Sequence, residues 1–391
     1  MRIEEQLDFW ETGFPQKWGA HHADSSMKPP TFPIERIMLT KGSLDTPARE
    51  RIVRRICDQF PDAVVEEQLD TPHNRVGLGD AKPLDLHATG KRTLVLGVLK
   101  SAVRFSEESD SICPNYWHYS VYGYCPFNCS YCYLAGTQGV RFSPALKIYV
   151  NLDEIMAEMH RIAMGMGKPV SFYHGKLQDG LALEPIAGFM QQLIPFFAQH
   201  PFARHILLTK STVVDSLLSL EHGGRTTLSW SLNPPAIASR FESDTPAIQD
   251  RIQAMQRCAE AGYPIRANLM PLIPCDHWER DYSEFVQYLV SAVPLQKLTL
   301  GGICNYRQSH YLMEQRLGSA NPISKQMDSD VSESDRRRRY APELRIKLYN
   351  TIIKSVRAVR DDLPIRICME EEQIQKALCE KIPFGDCTCV L

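Results

Sequence analysis

Apolar and polar positions along this chain follow two alternating rhythms. Short runs rich in β-branched, aromatic and leucine side chains recur at 93–97, 117–121, 169–173, 205–209, 227–231, 265–270, 298–300 and 365–368. That is the composition of strands covered on both faces. Between them, apolar residues fall every three or four positions at 152–165, 186–198, 213–220, 246–261, 282–293 and 342–359, the spacing of helices with one buried face. Strands alternating with helices of this length predict parallel β/α units. Repeated in series, they predict an α/β fold built on a partial TIM-type (β/α) barrel, with its functional face at the C-terminal ends of the strands.

Ahead of this series, strands at 34–39 and 63–66 flank a helix at 46–60, with Asp45 or Thr46 as its cap. Polar residues 70–92, which hold His73, Pro83 and His87, read as a connecting loop. The expected organisation is an N-terminal accessory α/β unit at 1–92 and a partial barrel core at 93–307. A polar, Arg-rich loop at 308–340 and a helix–strand–helix with a cysteine-bearing tail at 341–391 complete it.

Composition narrows the class. The 391 residues carry 44 Lys and Arg against 46 Asp and Glu, a net charge of −2, with 43% hydrophobic residues. Such a chain buries a sizeable core, which excludes intrinsic disorder and a small disulfide scaffold. It is not globally basic, so a nucleic acid would have to be gripped by a local patch. The run Arg336-Arg337-Arg338-Arg339 is the candidate for a phosphate grip; the alternative is a solvated face beside Asp328, Asp330, Glu333 and Asp335. No run approaches the ~18 apolar residues of a membrane helix, and Met1 to Gln6 lack the plan of a secretory signal. The expectation is a cytoplasmic monomer without membrane attachment.

Twelve cysteines change the picture. Without an export signal they are expected to be reduced thiols, metal ligands or catalytic groups. Cys125, Cys129 and Cys132 are packed together in Tyr122-Gly123-Tyr124-Cys125-Pro126-Phe127-Asn128-Cys129-Ser130-Tyr131-Cys132-Tyr133. This C-x3-C-x2-C loop directly follows an expected strand. Three thiolates on one short loop can take three corners of a cubane iron–sulfur cluster, which ordinarily has four cysteine ligands. The iron left without a thiolate is an open coordination position. A zinc site or three core cysteines are the alternatives, but no second Cys or His pair has zinc-ligand spacing.

The loop resembles the radical S-adenosylmethionine superfamily, and Cys125 to Leu134 resembles the spore photoproduct lyase family within it. Further likenesses follow in order at 92–97, 147–151, Thr209-Lys210 with Val214 to Leu218, 229–233, 261–264 and 278–282, with a weaker echo at 367–370. The resemblance implies a [4Fe–4S] cluster on Cys125, Cys129 and Cys132 whose open iron chelates the amino and carboxylate groups of S-adenosylmethionine. An external one-electron donor of flavodoxin or ferredoxin type would then generate a 5′-deoxyadenosyl radical. The cofactor supplies the difficult chemistry, while the protein orients it and excludes water. By family position Tyr131 lies near the adenine, and Lys210, Ser231 and Asn233 hold the cofactor's polar groups. A surface lysine and a strand-end serine are the plain alternatives for Lys210 and Ser231.

The family's hydrogen-donor cysteine on the second barrel strand has no counterpart here. Phe172-Tyr173-His174-Gly175-Lys176-Leu177-Gln178-Asp179 occupies that stretch, with Lys176 at or near its place. Tyr131 and Tyr133 of the family's tyrosine relay are present. His174, Lys176 and Asp179 therefore become candidates at the substrate or cofactor carboxylate. Tyr131, Tyr133, Lys176 and Cys304 are the candidate catalytic residues. Cys275 and Cys304 are expected at C-terminal ends of strands, and the tail with Cys387 and Cys389 could fold over the same mouth. These four could ligate an auxiliary iron–sulfur cluster; the alternative is that they are small buried hydrophobes.

The function these readings imply is hydrogen abstraction from a nucleic-acid or nucleotide substrate, as in DNA photoproduct repair. Sulfur insertion into a nucleotide-type precursor by way of the auxiliary cluster is the second expectation. A non-catalytic iron–sulfur redox or sensor protein is the third.

Overall fold

The computed structural model describes residues 32–107, 111–327, 337–383 and 386–391. In chain order the strands begin with β1 (Arg36–Thr40), β2 (Val64–Gln68), β3 (Thr93–Gly97), β4 (Val103–Ser106) and β5 (Tyr116–Tyr119). Then come β6 (Tyr122–Gly123), β7 (Asn128–Cys129), β8 (Leu146–Tyr149), β9 (Val170–His174), β10 (Ala203–Thr209) and β11 (Thr226–Ser231). The last are β12 (Glu242–Ser243), β13 (Ile265–Leu269), β14 (Leu295–Leu300), β15 (Asn305–Tyr306), β16 (Arg337–Arg338) and β17 (Ile365–Ile367).

Two sheets organise them. The smaller runs β2-β1-β3-β8-β6 and is parallel except for β6. The larger runs β17-β14-β13-β11-β10-β9-β5-β4, parallel from β17 to β5, with β4 antiparallel at its edge. It is the partial barrel that the strand–helix rhythm predicts. Strands β9, β11 and β13 are buried at every residue, as strands with both faces covered must be.

Several boundaries differ from the sequence reading. Residues 93–97, read as the first barrel strand, are instead β3, central in the smaller sheet between β1 and β8. Part of the expected loop at 70–92 is a helix, Pro83–Lys91, started by its proline at the first position. The single helix expected at 186–198 is two, Glu184–Ala187 and Met190–Gln199, separated by Gly188 at φ +64°. The helix expected at 213–220 shrinks to one 3-10 turn, Asp215–Leu217; a short segment does not repay helix nucleation. The N-terminal helix is Pro47–Cys57, and Thr46 caps it by accepting from Arg49 N at 3.3 Å.

Strand alternation separates two faces of the barrel sheet. Phe172 and His205 point outward and pack on Phe197 of the helix Met190–Gln199, at ring distances of 6.3 and 4.6 Å. The inner face is different in kind. Its strands carry Arg266, Asn268, Lys297 and Thr299, all buried, and these clasp the end of the chain. Arg266 donates to the carbonyls of Thr388 and Val390 at 3.1 and 2.7 Å. Lys297 and Arg366 both pair with Asp386, at 2.5 and 2.6 Å. Thr388 donates to Asn268 at 2.8 Å and shares a hydrogen bond with Thr299. The tail thus serves as part of the barrel's core. No helix among the described residues is long and apolar enough to cross a membrane.

Candidate active site

The three-thiol loop is pinned from four directions. Strand β7 pairs with β12, which places Cys129 opposite Glu242, and Ser130 N donates to Phe241 O at 2.8 Å. Lys91, from the helix Pro83–Lys91, reaches Phe127 O and, at 2.6 Å, Asn128 Oδ1. Arg316 donates to Cys129 O at 3.3 Å. The Tyr124 hydroxyl meets His87 Nδ1 at 2.7 Å, and Tyr124 itself adopts φ +67°.

Cys125 and Cys129 are buried and Cys132 half-buried. Burial pushes the Cys129 thiol up to about 12, opposed most by Lys210, while Glu242 and Cys132 raise it further. Burial likewise pushes Cys125 up, with Asp179 and Cys132 adding and Lys91 opposing. Close thiols of this kind are easily ionised only when a metal takes the charge. Among the described residues no three His, Cys, Asp or Glu side chains converge on a single ion. A cubane asks something else, one thiolate on each of three irons. Three soft donors ringed by Lys91, Lys210 and Arg316 fit such a cluster.

Beside the thiols, strand ends assemble a polar cradle. Lys210 follows β10, and its ammonium donates to Ser231 Oγ at 2.5 Å, lies 4.0 Å from Glu242 and sits 5.9 Å from the centre of the Tyr131 ring. Asp179 holds the lysine's backbone, accepting from Lys210 N at 2.7 Å and from Thr209 Oγ1 at 2.5 Å. Glu242 accepts from Tyr131 Oη and, at 3.0 Å, from Asn233 Nδ2, and it pairs with the buried Arg251 at 2.7 Å. Burial would raise this carboxyl, but Lys210 and Arg251, with the two hydrogen bonds, outweigh it and hold its pKa at about 2. Tyr282 donates to Asn233 Oδ1 at 2.8 Å, extending the network. The cradle fits S-adenosylmethionine: an ammonium and a hydroxyl suit a carboxylate, and the Tyr131 face suits a base. Tyr131, Lys210, Ser231 and Asn233, the expected cofactor residues, are thus brought together.

The expected catalytic pair also meets. Tyr133 Oη donates to Lys176 O, and Lys176 Nζ donates to Ser106 Oγ while lying 4.9 Å from the centre of the Tyr116 ring. Gly175, at φ +147°, makes this possible, since a Cβ there would meet Leu208 Cβ at 2.7 Å.

His174 is not at the cofactor. Its side chain alternates outward with Phe172, and its ring packs on Tyr119 at 4.7 Å and Tyr122 at 5.7 Å in the helix layer. Its inward neighbour Tyr173, overlooked in the sequence, packs with Tyr116, Cys387 and Cys389. Cys387 and Cys389 meet Cys113 and Cys368, with Cys304 beside Cys368. Cys275 stands apart, near Arg240, Asp276 and Asp281, which corrects its grouping with the tail. Arg337 and Arg339 turn inward instead of forming a phosphate grip: Arg337 donates to Tyr306 Oη at 2.9 Å and to Cys304 Sγ at 3.9 Å, and buried Arg339 reaches Met369 O at 3.5 Å. Arg338 forms the short β15–β16 ladder opposite Asn305, and Arg336 lies outside the described residues.

Glu242, Arg251, Lys91 and Arg316 were invisible as site residues, because the contacts that matter span 111 residues from Tyr131 to Glu242 and 187 from Cys129 to Arg316.

The partial barrel and its thiol loop define a radical S-adenosylmethionine enzyme. The spore photoproduct lyase profile matches residues 35–325, and the chain belongs to that family. It is 27% identical over 255 residues to the spore photoproduct lyase of Clostridium acetobutylicum, covering 65% of this chain and 73% of the relative. The Bacillus subtilis spore photoproduct lyase is 28% identical over 239 residues, 61% of this chain and 68% of its own. A solved spore photoproduct lyase complexed with dinucleoside spore photoproduct superimposes with a TM-score of 0.74 at 22% identity, over 87% of this chain and 99% of that one. A variant of that enzyme solved with bound AdoMet and the same dinucleoside likewise has a TM-score of 0.74 at 22% identity, covering 87% of this chain and 99% of that one. At this identity the superposition shows the fold. The cofactors of the family, a [4Fe–4S] cluster and S-adenosylmethionine, are the cofactors of this enzyme.

Proposed function

We propose that this enzyme abstracts hydrogen from a thymine-type photoproduct in DNA and so opens the carbon–carbon bond joining the two bases. The observation that carries the radical chemistry is the Lys210–Ser231–Glu242 cradle set against Cys129 and Tyr131. The choice of a nucleic-acid substrate rests on the relatives, one of which holds dinucleoside spore photoproduct. Sulfur insertion and a non-catalytic sensor find no support among them.

When bound, the cluster and S-adenosylmethionine supply a primary carbon radical. The chain's own residues do the rest. Lys210 and Ser231 anchor a carboxylate; Glu242, ionised throughout the neutral range, fixes Tyr131 and balances Arg251. Burial raises the Tyr133 hydroxyl above its usual range, so it stays protonated beside Lys176. No thiol stands at Lys176, and two hydroxyls, those of Tyr133 and Ser106, hydrogen-bond that residue instead. A cavity of about 1070 Å³ opens beside Tyr122 and Tyr124; Asp45 and Glu154 in its lining pair with Arg49, which leaves Lys41, Lys100 and Arg104 to favour an anionic ligand. Electrons come from an external one-electron donor of the flavodoxin or ferredoxin type.

The test is anaerobic turnover of dinucleoside spore photoproduct with S-adenosylmethionine and a chemical reductant. Release of 5′-deoxyadenosine together with restored thymines is the expected result. 5′-Deoxyadenosine with an unchanged dinucleoside would keep the radical chemistry and overturn the substrate.

A further inference from the structure

Four cysteines outside the three-thiol loop converge on the inner face of the barrel, and we propose that Cys113, Cys368, Cys387 and Cys389 ligate a second iron–sulfur cluster. The chain brings them there from three places. Cys113 precedes β5. Cys368 directly follows β17 and is fixed by its N–H to Leu300 O at 2.8 Å. The 112–113 and 368–370 segments are laced together, with Ile112 N donating to Glu370 O at 2.9 Å and Met369 N to Cys113 Sγ at 3.2 Å. Cys387 and Cys389 arrive on the clasped tail, where Cys389 N donates to Cys387 Sγ at 3.2 Å.

The thiols are mutual neighbours: Cys113 interacts with Cys368 and Cys387, and Cys387 with Cys389, while Cys387 and Cys389 pack in one cluster with Tyr116 and Tyr173. Free cysteines that merely fill a core sit among apolar side chains and are inert. Here backbone N–H groups point at two of the sulfurs, which is how proteins stabilise cluster thiolates and set their potentials. The scaffold is equally telling. Arg266 and Lys297 are only 6% and 7% exposed, and buried cations are costly unless fully partnered. Their partners are the backbone and Asp386 of the segment that carries Cys387 and Cys389. Charge is buried in order to hold two thiols in place.

A cluster suits this group better than one metal ion. No three of the thiols focus on a point, and neither do Cys125, Cys129 and Cys132, which belong to a cubane. Four thiolates, one for each iron, complete the usual ligand count, in contrast to the open corner of the first site. Cys304, held by Arg337 at 3.9 Å, lies at the rim and is not required. The group packs against Tyr173 and Tyr116, on the side of the barrel where Tyr133 and Lys176 meet. The inference does not depend on the identity of the substrate.

The full chain, reconstituted anaerobically, should carry about eight irons and about eight sulfides. The C125A/C129A/C132A variant should keep about four of each and a reduced-cluster electron paramagnetic resonance signal that S-adenosylmethionine leaves unchanged. C387S/C389S should keep the other four, with a signal that S-adenosylmethionine perturbs. Wild-type protein with about four irons, a triple variant that is folded by circular dichroism yet iron-free, zinc without sulfide, or a Cys387 disulfide found by thiol counting would each overturn the proposal. Should the triple variant fail to fold, the drop from about eight irons to about four in C387S/C389S decides the matter alone.

Discussion

The two thiol groups of this enzyme are built in opposite ways. Cys125, Cys129 and Cys132 come from one short loop, and the fold only has to pin it; the pins are Lys91, Arg316 and β12. Cys113, Cys368, Cys387 and Cys389 come from chain segments up to 276 residues apart, and the fold has to create the group. A local motif carries its chemistry in its spacing, whereas an assembled one has none until strands β5 and β17 and the tail are in place. The first group is also surrounded by cations and leaves one iron corner vacant. The second is supplied with backbone N–H donors and has no such vacancy.

Experiments can press on that contrast. The largest effect is expected from Cys129→Ala, which should abolish 5′-deoxyadenosine release and remove about four irons while the protein remains soluble. Retained turnover would break the assignment of the loop. Next comes Glu242→Gln, which strands Arg251 as an uncompensated buried charge and should cost about 3–5 kcal/mol, read as a lower urea midpoint. In the wild type this carboxylate, at about 2 when folded against ~4.3 when unfolded, stabilises fully above the unfolded value. That contribution is lost as pH falls toward 2, so the acid limb of a stability profile should flatten in E242Q.

Lys210→Met should weaken S-adenosylmethionine binding by about 10–100-fold, the worth of one charged hydrogen bond, with iron content unchanged. An unaltered affinity would move the carboxylate elsewhere. A separate effect, on stability alone, concerns His174. Burial lowers it to about 3, both ring nitrogens lack partners, and the unfolded chain takes its proton near ~6.5. Stability should therefore fall as pH drops from the unfolded value toward the folded one. His174→Phe, which keeps an aromatic ring, should reduce the slope of the urea midpoint against pH over that window.

Much of the architecture was legible in the chain. The rhythm of apolar runs located β9, β10, β11, β13, β14 and β17 closely, because largely buried strands leave a nearly unbroken signature. It could not say which sheet a strand joins, and β3 went to the smaller one. At the site, Tyr131, Lys210, Ser231 and Asn233 came from family likeness and proved to be neighbours. Glu242 did not, since nothing local marks a carboxylate whose partners lie on other strands. His174 was misplaced by one step of the strand alternation, which turns a side chain from one face of a sheet to the other.

The clasped tail has a consequence for how the molecule is made. Arg266, Asn268, Lys297, Thr299 and Arg366 all emerge from the ribosome before residues 386–390, which satisfy them, so the barrel interior stays incomplete until that segment has been made. Loss of that segment alone would strand Arg266 and Lys297 as unpartnered charge at the centre of the barrel.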